Sequence, residues 1–171
     1  MSKSAELVRL IQGRAGSEAP EYGLILGSGL GHISGTVEGI AIPYSDLPGF
    51  PHAGVSGHVP QLVIGQLEGR RVAVFGGRAH YYESGRPDAM RLPLEVLAGL
   101  GAEKLILTNA AGSVRETMQP GSLMMLSDHI NLSGANPLIG ERTDARFQPM
   151  TDAHDARLRA ALADAARAEG V

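Results

Sequence analysis

The stretch YGLILGSGLG, residues 22–31, indicates the fold of this chain. It begins with an apolar run of the kind found in strands that are buried on both faces of a sheet. The run ends at Gly27, and the glycines at positions 29 and 31 predict a tight loop directly after the strand. Ligands of open α/β sheets bind at the carboxyl ends of the strands. The stretch therefore predicts a strand that leads into a binding loop.

Strand and helix patterns alternate along the rest of the chain. Apolar residues at helical spacing predict helices over 5–14, 87–100 and 152–169. Short apolar runs predict further strands, which cover 37–44, 61–67, 71–75, 104–108 and 122–127, with a glycine turn between the second and third of these. The alternation predicts an α/β fold, a three-layer α/β/α sandwich with a mixed central sheet. At 171 residues the chain is expected to form a single domain over 1–171.

Residues 48–60 have a different composition, with three prolines and three glycines. This composition predicts irregular backbone rather than a helix or a strand. We interpret the segment as a mobile lid beside the binding loops.

Composition excludes several classes of function. The 15 lysines and arginines against 18 aspartates and glutamates, without long runs of one sign, do not form the basic surface typical of nucleic-acid or anionic-membrane binding. No apolar run reaches membrane-spanning length or resembles a secretory signal, so we expect a cytoplasmic protein with a small soluble ligand. The absence of cysteine rules out a disulfide and a thiolate nucleophile. The histidines lack HExxH spacing, and we predict no metal site.

The glycine loop fails two familiar motifs. A dinucleotide fingerprint that starts at Gly27 would need glycine where His32 stands, and a serine-hydrolase elbow around Ser28 would need glycine at Leu26 and Leu30. The loop's backbone amides and the Ser28 hydroxyl are still suited to cradle an anion. An ordinary tight turn fits the same residues equally well.

A second polar group follows the predicted strand 71–75. Arg78 and His80 stand two residues apart, so an extended chain would point both the same way and offer a guanidinium and an imidazole to phosphate. Tyr82 would then contact a sugar, and Glu83 would hold His80 in one tautomer. Spacing alone also allows a solvated arginine, a polar turn histidine and a tyrosine that only packs.

Four motifs in order carry a family resemblance: LGSGLG at 26–31, GH at 57–58, GRAHYYE at 77–83 and TNAAG at 108–112. With the segments 121–132 and 146–155, they make the chain similar to the trimeric purine nucleoside phosphorylases. The resemblance implies a phosphorylase/hydrolase-like fold and a pentosyltransferase. Such an enzyme would convert purine nucleosides such as inosine and guanosine, or their deoxy forms, to free base and (deoxy)ribose 1-phosphate. It implies a cytoplasmic homotrimer in purine salvage that uses inorganic phosphate as co-substrate and needs no cofactor.

Site residues follow from the same resemblance. It implies catalytic roles for Arg78, His80 and His58, the last on a mobile loop. The remaining roles that it implies are phosphate binding by Ser28, Arg78, His80 and the Ala110 amide, ribose binding by Tyr82, orientation of His80 by Glu83, and contact with the nucleoside of a neighbouring subunit by Phe147.

The chain departs from the family in two respects. Ser113 stands where a glycine is expected, a change that should preserve the amide donors of its loop. Family members continue past the last helix into the part that recognises the purine, so we expect this chain to lack that C-terminal part. Two alternatives therefore remain: a methylthioadenosine phosphorylase, and a non-catalytic remnant that binds phosphate. A nicotinamide oxidoreductase is disfavoured by the broken fingerprint.

Overall fold

A five-stranded mixed sheet forms the centre of the first of two units in this chain. The computed structural model describes residues 1–51 and 59–171, and these divide into the units Met1–Ala111 and Gly112–Val171. The predicted single domain stays a prediction. The α/β class with a mixed central sheet is confirmed.

The sheet has the strand order β2-β3-β4-β1-β5. Its strands are β1 Tyr22–Ile25, β2 Glu38–Pro43, β3 Gln61–Leu67, β4 Arg70–Phe75 and β5 Lys104–Leu107. Strand β1 runs parallel to both β4 and β5, whereas β2, β3 and β4 pair antiparallel. The carboxyl ends of β4, β1 and β5 therefore lie side by side along one edge of the sheet.

The predicted hairpin is present and is closed by a turn of two residues. Glu68 and Gly69 both have positive φ, 48° and 71°. Positive φ at both central residues is the signature of the type I′ turn, whose twist matches that of the flanking strands. Of the two hairpin strands, β3 has its predicted bounds, and β4 begins one residue earlier than predicted, at Arg70.

Side chains of the sheet alternate between two apolar clusters, one on each face. On one face, helices α1 Lys3–Ala15 and α3 Arg91–Gly99 pack against the strands and bury residues such as Ile25 and Phe75. On the other face, Leu26, Val63, Val72 and Val74 are buried beneath partly buried residues that include two from the loop and 3-10 helix after β1, Leu30 and Ile33. Strand β4 is thus buried on both faces, and β1 is buried on one face and partly buried on the other, whereas Leu105 and Leu107 of β5 are exposed.

Helix α3 starts later than its pattern predicted. The expected helix covered 87–100, whereas α3 spans Arg91–Gly99. Proline lacks an N–H and is tolerated only in the first turn of a helix. Pro93 lies in that first turn because the helix starts at Arg91, and a start at Pro87 would have put Pro93 inside the helix.

The second unit contains one long helix, α4, which spans Ala156–Ala168. The predicted helix began at residue 152, but Asp155 caps the observed one by accepting hydrogen bonds from the amides of Arg157 and Leu158 at 2.8 and 2.9 Å. The strand predicted over 122–127 is wrong, since the described part of this unit contains no strand. A strand needs a hydrogen-bonded partner, and this apolar run pairs with none in the described ranges.

None of the described helices, which also include the short α2 at Tyr81–Ser84, has the length and apolar character required to cross a bilayer.

A buried tyrosine ties β2 to the segment after β4. Tyr44 is 3% exposed, its hydroxyl donates to the Gly77 carbonyl at 2.8 Å, and its ring meets Phe50 edge-on at a centroid distance of 5.3 Å. Burial raises the pKa of the phenol, which keeps the hydroxyl a donor.

We expect Tyr44→Phe to lower the free energy of unfolding by about 1–3 kcal/mol, because it leaves the Gly77 carbonyl unsatisfied while keeping the ring packing. Urea denaturation measures this loss. Tyr81→Phe is the matched control, since Tyr81 is 54% exposed and its change should stay within about 0.5 kcal/mol. Equal unfolding midpoints for the two variants would contradict the assigned role of this hydrogen bond.

Candidate active site

Three loops meet at the edge where β4, β1 and β5 end. They contain the glycine loop after Ile25, the segment Gly76–His80 after Phe75, and the small residues after Leu107. Parallel neighbours bring these loops together, as expected for a site at the carboxyl ends of strands. Leu26 extends the pairing by donating to the Phe75 carbonyl at 3.0 Å.

Thr108 joins the loop after β5 to the loop after β1. Its amide donates to the Ile25 carbonyl at 3.1 Å, and its Oγ1 accepts a hydrogen bond from the Gly27 amide at 2.8 Å. The hydroxyl contact thus adds a link between β1 and β5 beyond the backbone pairing of these strands, at the point where both strands end. A buried amide such as that of Gly27 requires an acceptor, and Thr108 supplies it.

Gly27 is needed for the close approach of these two loops. A Cβ on Gly27 would lie 2.6 Å from the Thr108 carbonyl oxygen and 2.8 Å from the Asn109 Cα. Both atoms are backbone, so neither can move aside as a flexible side chain would. The turn then continues through Ser28 and Gly29, the latter at φ 88°, and Leu30 donates back to the Gly27 carbonyl at 3.2 Å. Ser28 is exposed on this turn.

Arg78 reaches the same junction from β4. Its Nη1 donates to the Thr108 carbonyl at 2.5 Å, and the side chain is partly buried. Burial lowers the pKa of the Arg78 guanidinium from its ordinary value, while the nearby Tyr82 acts in the opposite direction. A guanidinium remains charged in proteins and has five N–H donors, of which this contact uses one.

His80 is the N-cap of the short helix α2, Tyr81–Ser84. The Glu83 carboxylate accepts from the His80 amide at 2.6 Å and lies 3.2 Å from the His80 Nδ1. The imidazole stacks on the Tyr82 ring at a centroid distance of 4.9 Å and an angle of 19°. Glu83 therefore contacts both the backbone amide and the ring of His80. The predicted contact between Glu83 and His80 is present, and its orienting role stays a prediction.

The other predicted site residues differ in their placement. Tyr82 is 74% exposed, so its hydroxyl is open to a ligand, and Ala110 is exposed two residues after Thr108. Phe147 is in the second unit, 68% exposed, with the Arg146 guanidinium 4.8 Å from its ring centroid. His58 and most of the segment interpreted as a lid lie outside the described residues.

Two residues of this region had no predicted role. Thr108 belongs to the TNAAG motif and ends the predicted strand 104–108, and Tyr44 ends the predicted strand 37–44. A threonine at the end of an apolar run, followed by small residues, is the one available signal for the Thr108 contact. Nothing in the sequence indicates that Tyr44 reaches Gly77, because the two are 33 positions apart.

Charged groups suited to a metal do not cluster in the described ranges. No group of three or more histidines, aspartates or glutamates lies close enough there to hold an ion. Two pairs of such side chains are in contact: the His80 Nδ1 lies 3.2 Å from the Glu83 carboxylate in the first unit, and the His129 Nδ1 lies 3.3 Å from the His154 Nε2 in the second.

The curated proteins most similar in the comparison share one name, purine nucleoside phosphorylase. The chain is 51% identical over 157 residues to purine nucleoside phosphorylase 1 of Geobacillus stearothermophilus, which covers 90% of this chain and 57% of that protein. It is 40% identical over 149 residues to purine nucleoside phosphorylase of Bos taurus, with 83% and 52% covered. The chain spans about half the length of the curated relatives it matches.

Solved structures agree with these relatives. A purine nucleoside phosphorylase in complex with ribose-1-phosphate superposes with a TM-score of 0.87 at 37% identity, over 98% of this chain and 64% of that one. The Schistosoma mansoni enzyme in complex with inosine gives 0.87 at 36% identity, over 98% and 61%.

The family model of the phosphorylase superfamily matches residues 21–171, which include all three loops of the site. The chain belongs to the phosphorylase superfamily.

Proposed function

We propose that this protein is a purine nucleoside phosphorylase, a pentosyltransferase that acts on inosine, guanosine and their deoxy forms. The observation that carries the proposal is the convergence of the Arg78 guanidinium and the glycine loop at Thr108. The names of the relatives support the choice of purine nucleosides and do not favour the methylthioadenosine alternative.

Phosphate is the first substrate that the site suits. Arg78 offers charged donors from a partly buried position, where they are weakened less by water than on an open surface. The Ser28 hydroxyl, the Ala110 amide and His80 complete the proposed set of phosphate ligands. A glycine-rich turn at a strand end commonly exposes amides to an anion, which fits the exposed position of Ser28.

The proposed reaction is a displacement at the anomeric carbon of the nucleoside. A phosphate oxygen forms a bond to that carbon while the bond from carbon to purine nitrogen breaks, and its electron pair leaves with the purine, which takes up a proton. Positive charge that develops on the ribose is stabilised by the bound phosphate, which is held in line by Arg78. Tyr82 would contact the ribose, and His80, oriented by Glu83, would bind phosphate beside it.

The proposal includes no metal and no organic cofactor, because phosphate is itself the nucleophile. It also includes a cytoplasmic homotrimer in purine salvage, with no nucleic acid or membrane partner. In that trimer Phe147 would complete the nucleoside site of a neighbouring subunit, and His58 would act from a mobile loop. Phe147 is exposed, which leaves its ring accessible for such a contact.

We expect Arg78→Ala to reduce kcat/KM for phosphorolysis by about 100-fold or more, since removing one charge-stabilising donor from an active site costs about that factor. The assay follows hypoxanthine release from inosine with and without phosphate. Arg70→Ala is the control, because Arg70 is at the opposite end of β4 and pairs with Glu21 at 3.2 Å. Phosphate binding without hypoxanthine release by the unmodified chain would contradict the enzyme and favour the non-catalytic alternative.

The trimer makes a separate prediction about Phe147. Phe147→Ala should raise KM for inosine about tenfold, the scale of losing one buried aromatic contact, and leave the sedimentation coefficient of a trimer unchanged. Mixing Phe147→Ala chains with Arg78→Ala chains should then restore part of the activity, because some mixed trimers contain a site with both residues intact. A reassembled mixture that is no more active than the sum of the two variants measured separately would contradict a shared site.

A further inference from the structure

We infer that Thr108 is a positioning residue, which sets the geometry of the phosphate site through two separate groups. Its hydroxyl holds the glycine loop and its carbonyl holds Arg78. The inference rests on the proposed function, since it concerns the phosphate site of that reaction.

The hydroxyl acts on the loop at the residue before Ser28. The Gly27 amide points at Thr108 Oγ1 over 2.8 Å, and Gly27 is buried. Without that acceptor the amide would lose its hydrogen bond in a place that water does not easily reach. The loop would then shift to find another acceptor, and Ser28 and its neighbouring amides would move with it.

The carbonyl acts on the cation. Arg78 Nη1 donates to it at 2.5 Å, and the peptide that contains this carbonyl is itself fixed because the Thr108 amide bonds to the Ile25 carbonyl at 3.1 Å. A guanidinium held by a fixed acceptor loses less conformational entropy when it binds an anion than a mobile one does. Thr108 therefore prepares Arg78 for phosphate before phosphate arrives.

The close approach of Gly27 to the Thr108 carbonyl links the two roles of Thr108, its contact with the glycine loop and its contact with Arg78. A Cβ on Gly27 would lie 2.6 Å from the same carbonyl oxygen that holds Arg78. The glycine loop thus packs directly against the acceptor of the arginine. A displacement of the loop is transmitted to that oxygen, and a change at Thr108 should affect both phosphate ligands together.

The test compares Thr108→Val, which keeps the shape and removes the hydroxyl, with Thr108→Ser, which keeps the hydroxyl. Isothermal titration with inorganic phosphate should show affinity about tenfold weaker for Thr108→Val and within about twofold of the unmodified chain for Thr108→Ser, the range expected for one buried hydrogen bond. Thr36→Val is a control that removes another threonine hydroxyl, one that donates to the Ile33 carbonyl at 2.8 Å in the 3-10 helix Gly31–Thr36.

A second readout does not depend on phosphate. Amide hydrogen exchange at Gly27, followed by NMR in phosphate-free buffer, should accelerate at least tenfold in Thr108→Val and stay unchanged in Thr108→Ser and Thr36→Val. Support requires both the exchange result and the affinity result.

Unchanged phosphate affinity in Thr108→Val, equal losses in the valine and serine variants, or unchanged Gly27 exchange would each overturn the positioning role while the proposed function stands. No phosphate binding by the unmodified chain would instead refute the phosphate site itself, and the inference with it.

Discussion

The close contact between the backbones of Gly27 and Thr108 is the constraint on which the site depends. Strand β1 lies between β4 and β5, so the loops that follow these strands share one edge of the sheet. The contact is possible because residue 27 has no side chain, and it is held by the bond from the Gly27 amide to Thr108 Oγ1. Arg78, which follows β4, donates a hydrogen bond to the Thr108 carbonyl. One threonine thus connects all three loops.

The surrounding structure supports this edge in several layers. Apolar residues on both faces of β1 and β4 bury the strands that end there. Tyr44 fixes the segment before Arg78 from inside the core through its bond to Gly77. Glu83 contacts the imidazole of His80 through its carboxylate, and Tyr82 stacks on the same ring. In the proposed reaction, Arg78 and His80 would thus be positioned by contacts within the protein before phosphate binds, an arrangement that favours electrostatic preorganisation.

Much of the first unit could be predicted from the sequence because its patterns are local. The apolar runs of β1, β4 and β5, the hairpin turn at Glu68 and Gly69, and the loops after the strands all follow from neighbouring residues. The strand expected over 122–127 failed because its leucines and methionines resemble those of a buried strand, while pairing depends on a partner that no local pattern reveals. The contacts of Thr108 with Gly27 and Arg78 were missed for a similar reason, since they join residues 81 and 30 positions apart.

Identification of the phosphorylated product tests the central claim most directly. Phosphorus NMR of the unmodified chain with inosine and inorganic phosphate should show a new phosphate ester signal, ribose 1-phosphate, that grows in step with hypoxanthine. Hypoxanthine formed with free ribose would mean hydrolysis, in which phosphate is not the nucleophile. That result, or the absence of both products at saturating phosphate, would contradict the account.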